Sequence, residues 1–566
     1  MTIEWVEPSL DVQVTLIGHG TLQGPKKSTV LDFFTCAGIN YSSPVVGAIL
    51  NGELCELTTP VVKESTLAPV LMRDADGARI YRRSLSFLLS AAFSRLFPDA
   101  VLHINYSVYP GGYYCDVSRR EPLNPVELLS LKAEMVDLVT KNLSFEKKEV
   151  PLAQAIEIFS KLGELDKVQL LHYRTKDHVT IYSLGSYLDY HQGYMVPSTS
   201  FLKWFDIVTA NGGFILRYPP RSDHTRTDYV EQFPTLFNSF RLYGEWLKAL
   251  RIESVGALNE AITEDRSKEL ILVSEAFHEQ HLSSIAKQIK DAAERIKIIL
   301  ISGPTSSGKT TFSRRLTVQL LSQGISPYPL ELDNFFLDRA HTPKDADGNY
   351  DFEDVHALDL DQLSEHLHRL TNGETVQLPH FNFKEGRQEP GELVTLKPGQ
   401  MLILEGIHGL NPILVPPDLY SKSFKIYISA LTQLNLDYHN RVSTTDNRLL
   451  RRIVRDSHER GYSAAQTIAM WESVRRGEEK HIFPHQDNAD VMFNSALVYE
   501  IAILKPLVEP LLQQVPYNTP EHIEAKRLLA MLEWFLPMQT QTVPENSILR
   551  EFIGGSNLQD FTGWGG

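Results

Sequence analysis

Cysteine is scarce in this chain. Among 566 residues there are three, Cys36, Cys55 and Cys115. No two stand at C-x-x-C spacing, which excludes a disulfide scaffold and gives no zinc knuckle or redox pair. Long apolar runs are also missing. No stretch reaches the roughly 20 consecutive apolar residues that a membrane-spanning helix needs. The opening MTIEWVEPSLDVQV has three acids before any basic residue and no apolar core, so it does not read as a secretory signal. Positive charge is in deficit: Lys+Arg 55 against Asp+Glu 70, a formal net charge of −15. That argues against nucleic-acid binding over the whole surface and leaves room only for a local basic patch. These absences together point to a cytoplasmic protein without a membrane partner. What is present is an ordinary globular composition, 42% hydrophobic and 22% charged, at a length suited to three or four domains.

The order of strand-like and helix-like patterns divides the chain. Residues 1–72 alternate short strand pieces (VQVTLI, PVVGAIL, APVLM) with one short helical pattern, TVLDFFTCAGI, and read as a small α+β module. Residues 73–225 read as a second α+β domain, entered by the helical RRSLSFLLSAAFSRL. Residues 226–295 carry amphipathic helical stripes and read as a helical connector. From 296 to 515, strand-like KIILIS, YPLEL, MLILEG and FKIYIS alternate with helical patterns. The fold class expected there is α/β, a parallel sheet covered by helices. Residues 516–566 hold one more helix and a Gly-rich end expected to be mobile.

The strongest motif is Gly303-Pro304-Thr305-Ser306-Ser307-Gly308-Lys309-Thr310, which fits G-x-x-x-x-G-K-S/T. Average residue usage gives about 0.02 chance matches in a chain of this length. The motif also sits where it must, between a strand (KIILIS) and a helix (TTFSRRLTVQLL). Backbone N–H groups from Gly303 to Thr311, aided by the helix N-terminus, suit the phosphates of ATP. Lys309 suits the β/γ-phosphates and the Thr310 hydroxyl suits Mg²⁺. No N-K-x-D follows, so the guanine signature of a GTPase is missing.

Two acids follow strands. Asp333 comes after YPLEL, placing a carboxylate at the ligand-binding edge of the sheet, where it can take a proton from an attacking hydroxyl. Glu405 comes after MLIL and can serve Mg²⁺. Arg448, Arg451, Arg452 and Arg455 share one expected helix, with Arg460 just beyond. Such a row can stabilise charge on a transferring phosphoryl group, or can belong to a surface helix paired with acids such as Asp456 and Glu459.

GPTSSGKTTF, ELDNFF, NYDFEDVHALDLDQL, LPHFNF, LILEGIHGL, RRIVRDSHERGYS and NADVMF occur in that order over about 200 residues. Residues 296–500 thereby resemble the uridine kinase and phosphoribulokinase family of P-loop kinases. The resemblance implies ATP- and Mg²⁺-dependent phosphorylation of a sugar hydroxyl. It implies Asp333 as catalytic base beside Lys309, Asp351 at the ribose hydroxyls, and Arg452, Arg455 and Arg460 in a phosphate-binding lid. Phe381 and Arg387 fall in the acceptor segment. The family's base-reading Tyr and His are replaced by Phe381 and Gly386, and a lid arginine by Tyr462. A site without those polar groups is expected to discriminate poorly among bases.

The front half resembles another family. Residues 11–72 are similar to a TGS domain. Residues 73–225, through RRSLSFLLSAAFSRLFP, GGYYCDV and DYHQGYMVPSTS, are similar to the second domain of threonyl-tRNA synthetases. In that family the pattern H-x-x-x-H with C-x-x-x-H binds metal. Here the four positions hold Arg83, Phe87, His191 and Met195, so neither a metal nor proofreading hydrolysis is expected. The leading expectation is a nucleoside kinase acting on a small molecule. A kinase for another small sugar or alcohol comes next, and an ATP-switched RNA-binding or regulatory protein ranks below both.

Overall fold

The computed structural model describes residues 10–228, 234–344, 348, 350–382 and 384–561. The first nine residues and the last five of the Gly-rich end lie outside it.

The chain opens with β1 (Asp11–Leu16), β2 (Gly20–Pro25), α1 (Val30–Ala37), β3 (Val45–Leu50), β4 (Glu53–Cys55) and β5 (Ser65–Leu71). They form a mixed sheet in the order β2-β1-β5-β3-β4. The alternation of DVQVTL sends Val12, Val14 and Leu16 inward to meet Phe33 and Phe34 of α1. The long α2 (Ala75–Leu96) leads to β6 (Val101–Val108), β7 (Gly112–Ser118), α3 (Pro125–Thr140), β8 (Glu146–Pro151), α4 (Leu152–Leu162) and α5 (Leu165–His172). After these come β9 (His178–Leu184), β10 (Tyr187–Tyr190), β11 (Asp206–Ala210) and β12 (Gly213–Arg217). Two sheets result, β11-β12-β7-β6 and β10-β9-β8. Leu85, Leu88, Leu89 and Ala92 of α2 lie at helical spacing and fill the core between α2, α3 and these strands.

Three helices follow: α6 (Pro234–Leu250), α7 (Val255–Thr263) and α8 (Ser267–Asp291). The rest of the chain comprises β13 (Ile298–Ser302), α9 (Lys309–Ser322), β14 (Pro327–Glu331), α10 (Leu360–Thr371), β15 (Val376–Asn382), β16 (Arg387–Val394), β17 (Met401–Glu405), α11 (Pro417–Tyr420) and β18 (Ser423–Ser429), then α12 (Thr444–Glu459), α13 (Ala464–His481), β19 (Val491–Asn494), α14 (Glu500–Gln513), α15 (Pro520–Leu532) and α16 (Arg550–Ile553). Five strands form an all-parallel sheet, β14-β17-β13-β18-β19. It is covered on both faces, as its unbroken apolar strands require. Ile299 and Ile301 point to the helices α8, α9, α12 and α14, while Ile298 and Leu300 point to a second core with α10 and β15. The α/β expectation holds.

The tail departs from expectation. Residues up to 561 are described, and Ile548, Leu549 and Phe552 are buried in the main core. The glycines of IGGSNLQ had suggested mobility, but the apolar SILREF just before them anchors the segment.

Candidate active site

The loop 303–308 leaves the C-terminal end of the central strand β13 and turns into α9. Gly308 caps α9 at φ +86°, a left-handed conformation that a side chain would strain. A Cβ there would also lie 2.6 Å from Ile548 Cγ2. Lys309 Nζ donates to the carbonyl of Pro304 at 3.3 Å, folding the ammonium back over the loop. The Thr310 hydroxyl donates to Glu405 Oε2 at 3.1 Å, so the loop threonine and the acid ending β17 are in contact. Among the described residues the buried Ser306 and Ser307 hydroxyls have no hydrogen-bond partner. These orphaned donors and the N-terminus of α9 fit a bound phosphate chain.

Asp333 stands in a short turn directly after β14, at the same sheet edge. The residue is exposed to solvent, with enough protein around it to desolvate its carboxyl. Burial raises its pKa, opposed by the charges of Lys309 and Arg460. Burial raises Glu405 to about 7. Lys309 pulls it down, while Asp333, Glu331 and Glu551 push it up. A cluster of carboxylates with Lys309 as its chief counter-charge fits a divalent cation between Thr310 and Glu405.

The arginine helix is not a surface helix. Arg448 and Arg451 are fully buried and paired with Glu478 and Glu500. Each also donates to the phosphate loop, Arg448 to the Thr305 carbonyl at 3.1 Å and Arg451 to the Ser306 carbonyl at 3.4 Å. Glu478 in turn accepts from the Thr305 N–H at 3.2 Å. Arg452, Arg455 and Arg460 converge instead on one buried acid, Asp456, at 3.1, 2.9 and 3.7 Å.

On the acceptor side, Asp351 shares a cluster with Asp354 and His481. Phe381 is 3% exposed and meets Phe336 edge-on at 5.7 Å. Its ring is part of the core wall. Arg387, on β16, is exposed beside Glu389 at 3.4 Å.

Three residues escaped the sequence reading. Arg339 fills the space beside Gly386, where a Cβ would meet its guanidinium at 3.0 Å. Burial raises Glu353 to about 7, with Glu478 adding to the rise and Arg452 and Lys309 opposing it. Glu353 lies inside NYDFEDVHALD, where its acid could have drawn attention. Glu551 of α16 accepts the N–H of Thr311 at 2.9 Å, so the tail's carboxylate occupies the first turn of α9. No spacing rule links residue 551 to the loop.

In the front half, Arg83, Phe87, His191 and Met195 do come together. The Phe87 and His191 rings are 5.5 Å apart, and Arg83 donates to the Tyr194 carbonyl at 2.8 Å. Burial pushes His191 down to about 3.

The fold and loop define a P-loop domain. Residues 298–502 match the Phosphoribulokinase / Uridine kinase family and constitute a domain of that family. The N-terminal part is similar to threonine–tRNA ligases. That of Lawsonia intracellularis is 32% identical over 176 residues, covering 31% of this chain and 27% of the ligase. That of Nitrosomonas eutropha is 33% identical over 187 residues, covering 33% and 29%. The chain thus spans under a third of the length of these curated relatives. A solved structure described as a possible uridine kinase from Bacillus stearothermophilus is 16% identical, with a TM-score of 0.23 over 36% of this chain and 99% of that one. Among the described residues no helix is long and apolar enough to cross a membrane.

Proposed function

We propose that this chain is an ATP-dependent kinase that phosphorylates the primary hydroxyl of a nucleoside in the cytoplasm. The observation that carries the reading is the convergence of Lys309, the Thr310–Glu405 pair and Asp333 at one edge of the parallel sheet. ATP would supply the phosphoryl group, and Mg²⁺, held by Thr310 and Glu405, would screen its charge. The N–H groups of 303–311 and the Lys309 ammonium orient the phosphates. Arg452, Arg455 and Arg460, gathered by Asp456, would add positive charge for the transferring phosphoryl group. Asp333 accepts the proton of the attacking hydroxyl, a task its raised pKa suits. Asp351, Arg387 and Arg339 would bind the acceptor, with Phe381 as wall. None of these groups favours one base, so weak base discrimination is expected. The front half, similar to TGS and synthetase domains, serves binding or regulation, without zinc at Arg83, Phe87, His191 and Met195.

An ATP-consumption assay over uridine, cytidine, adenosine, guanosine and inosine tests the reading, with Lys309→Ala as control. Turnover on at least one nucleoside, abolished in Lys309→Ala with the fold intact, is the expected result. Turnover unchanged in that variant would overturn the kinase assignment. Inactivity on every nucleoside but activity on another small alcohol would move the acceptor class. A uridine preference above ~10³-fold would overturn the weak-discrimination part, because apolar contacts alone give ~10–200-fold.

A further inference from the structure

Away from Asp333, a cavity of about 780 Å³ opens where the front half meets the P-loop domain. Its walls come from α2, the β6–β7 turn, the segment 430–443 and helices α12, α13 and α15. The chain is strongly acidic overall, yet eleven Lys and Arg residues line this cavity against five Asp and Glu. Several of these cations are neutralised in place, such as Arg79 by Glu524 and Arg527 by Asp446. Three are not. Arg82, Arg83 and Arg441 have no carboxylate within ion-pair distance among the described residues.

All three stand near one pair of tyrosines, Tyr113 and Tyr218. Arg82 lies over the Tyr218 ring at 4.5 Å, and its buried Nε has no partner. Arg441 lies over the Tyr113 ring at 4.8 Å and donates to Asn105 O at 3.0 Å and Ser107 Oγ at 2.8 Å. The two rings are 4.9 Å apart. Arg83 donates to the Tyr194 carbonyl at 2.8 Å beside Gly193, at φ +100°; a Cβ on that glycine would meet the guanidinium at 2.8 Å. Burial lowers the Arg83 pKa, and neighbouring Arg527 and Arg79 lower it further.

A guanidinium stays charged in a protein, so Arg83, without a carboxylate partner among the described residues, carries a desolvation cost to which Arg527 and Arg79 add. An anion removes that cost. Arg82 and Arg441 stack on rings, and each guanidinium keeps N–H groups beyond those already bonded to protein, directed in its own plane as phosphate oxygens require. The volume falls in the ordinary range for small-molecule sites, ~300–1,000 Å³. The carboxylates that also line it, among them Glu472 and Glu479, would repel an extended nucleic-acid backbone.

We propose that this cavity binds a small ligand carrying two or more linked phosphate groups, held by Arg82 and Arg83 of the front half and Arg441 of the P-loop domain. The assignment stands independently of the acceptor proposed above. Because Arg441 lies two residues before Ser443, the N-cap of α12, the ligand would tie the front half to the arginine helix.

The test is calorimetric titration of the full chain with inorganic pyrophosphate, in a Lys309→Ala background that weakens the phosphate loop. One site is expected, weakened about tenfold or more by Arg82→Ala and by Arg441→Ala, as the loss of a charged hydrogen bond predicts. Thermal melts establish that the variants fold. If Arg82→Ala does not, Arg441→Gln gives the same reading. Affinity unchanged in the variants, or no pyrophosphate binding in the background protein, overturns the proposal. So does structured RNA that displaces pyrophosphate and loses its own affinity on Arg441→Ala, which would make the cavity an RNA site.

Discussion

At Glu405 a carboxyl stands among Asp333, Glu331 and Glu551 with Lys309 as its main counter-charge, and burial plus this crowding lift its pKa to about 7. The usual value is 4.5. Between those two values the folded chain holds a proton that the unfolded chain has released, so stability falls as pH rises across that window. Removing the charge removes the penalty. We predict that Glu405→Gln raises Tm at pH 8 by roughly 2–4 °C and leaves it nearly unchanged at pH 4.5. Added Mg²⁺ should stabilise the parent chain and not the variant. Thermal melts at the two pH values, with and without Mg²⁺, decide it; destabilisation of the metal-free variant at pH 8 would mean that Glu405 is a structural acid. Asp333 makes the complementary kinetic case. Asp333→Asn should lower kcat by at least ~10²-fold with little change in the KM for ATP, because a general base contributes ~10²–10⁴. A loss confined to KM would make Asp333 a binding group.

The motif strands and the loop helix were readable because each follows from local pattern: apolar runs ended by Gly or an acid, then a helix-forming stretch. The packing of those elements was not. Arg448 and Arg451 look, in sequence, like any charged helix face. Only Glu478 and Glu500, thirty and forty-nine residues away, turn them into buried supports of the phosphate loop. The tail is the larger surprise. Its glycines suggested mobility, yet Ile548 packs on Gly308 and Glu551 takes the Thr311 N–H. A carboxylate at a helix N-terminus competes with a phosphate for the same donors. We predict that Glu551→Gln tightens ATP binding, read as a Kd lowered about threefold or more in equilibrium titration of the full chain. A weaker Kd would show that Glu551 organises the loop for nucleotide and does not compete with it.

The halves are joined by groups that no motif announces. Lys167 on α5 is 1% exposed and donates to Asp189 at 2.9 Å, and His439 from the segment before α12 reaches the same Asp189 oxygen at 2.9 Å. Tyr187 also donates to that oxygen at 3.1 Å, and the backbone N–H of Tyr190 to its partner at 2.8 Å. Burial works against the Lys167 ammonium, but Asp189, with Tyr187, Glu164 and Asp437, holds it charged well above its usual range. In sequence these are scattered polar residues, and their pairing exists only once α5, β10 and the 430–443 segment meet. Losing Asp189 would strand a buried ammonium with Glu164, at 3.2 Å and half-exposed, as its remaining carboxylate within ion-pair distance. We predict that Asp189→Asn costs about 3–5 kcal/mol in denaturant unfolding, the range for breaking a buried ion pair. The double variant Asp189→Asn with Lys167→Met should be less destabilised than the single one, because it removes the stranded charge as well. Since His439 precedes α12 by only a few residues, the single variant should also slow ATP turnover, while the double variant separates lost charge from lost packing. A double variant as unstable as the sum of its parts would show that Lys167 and Asp189 act separately.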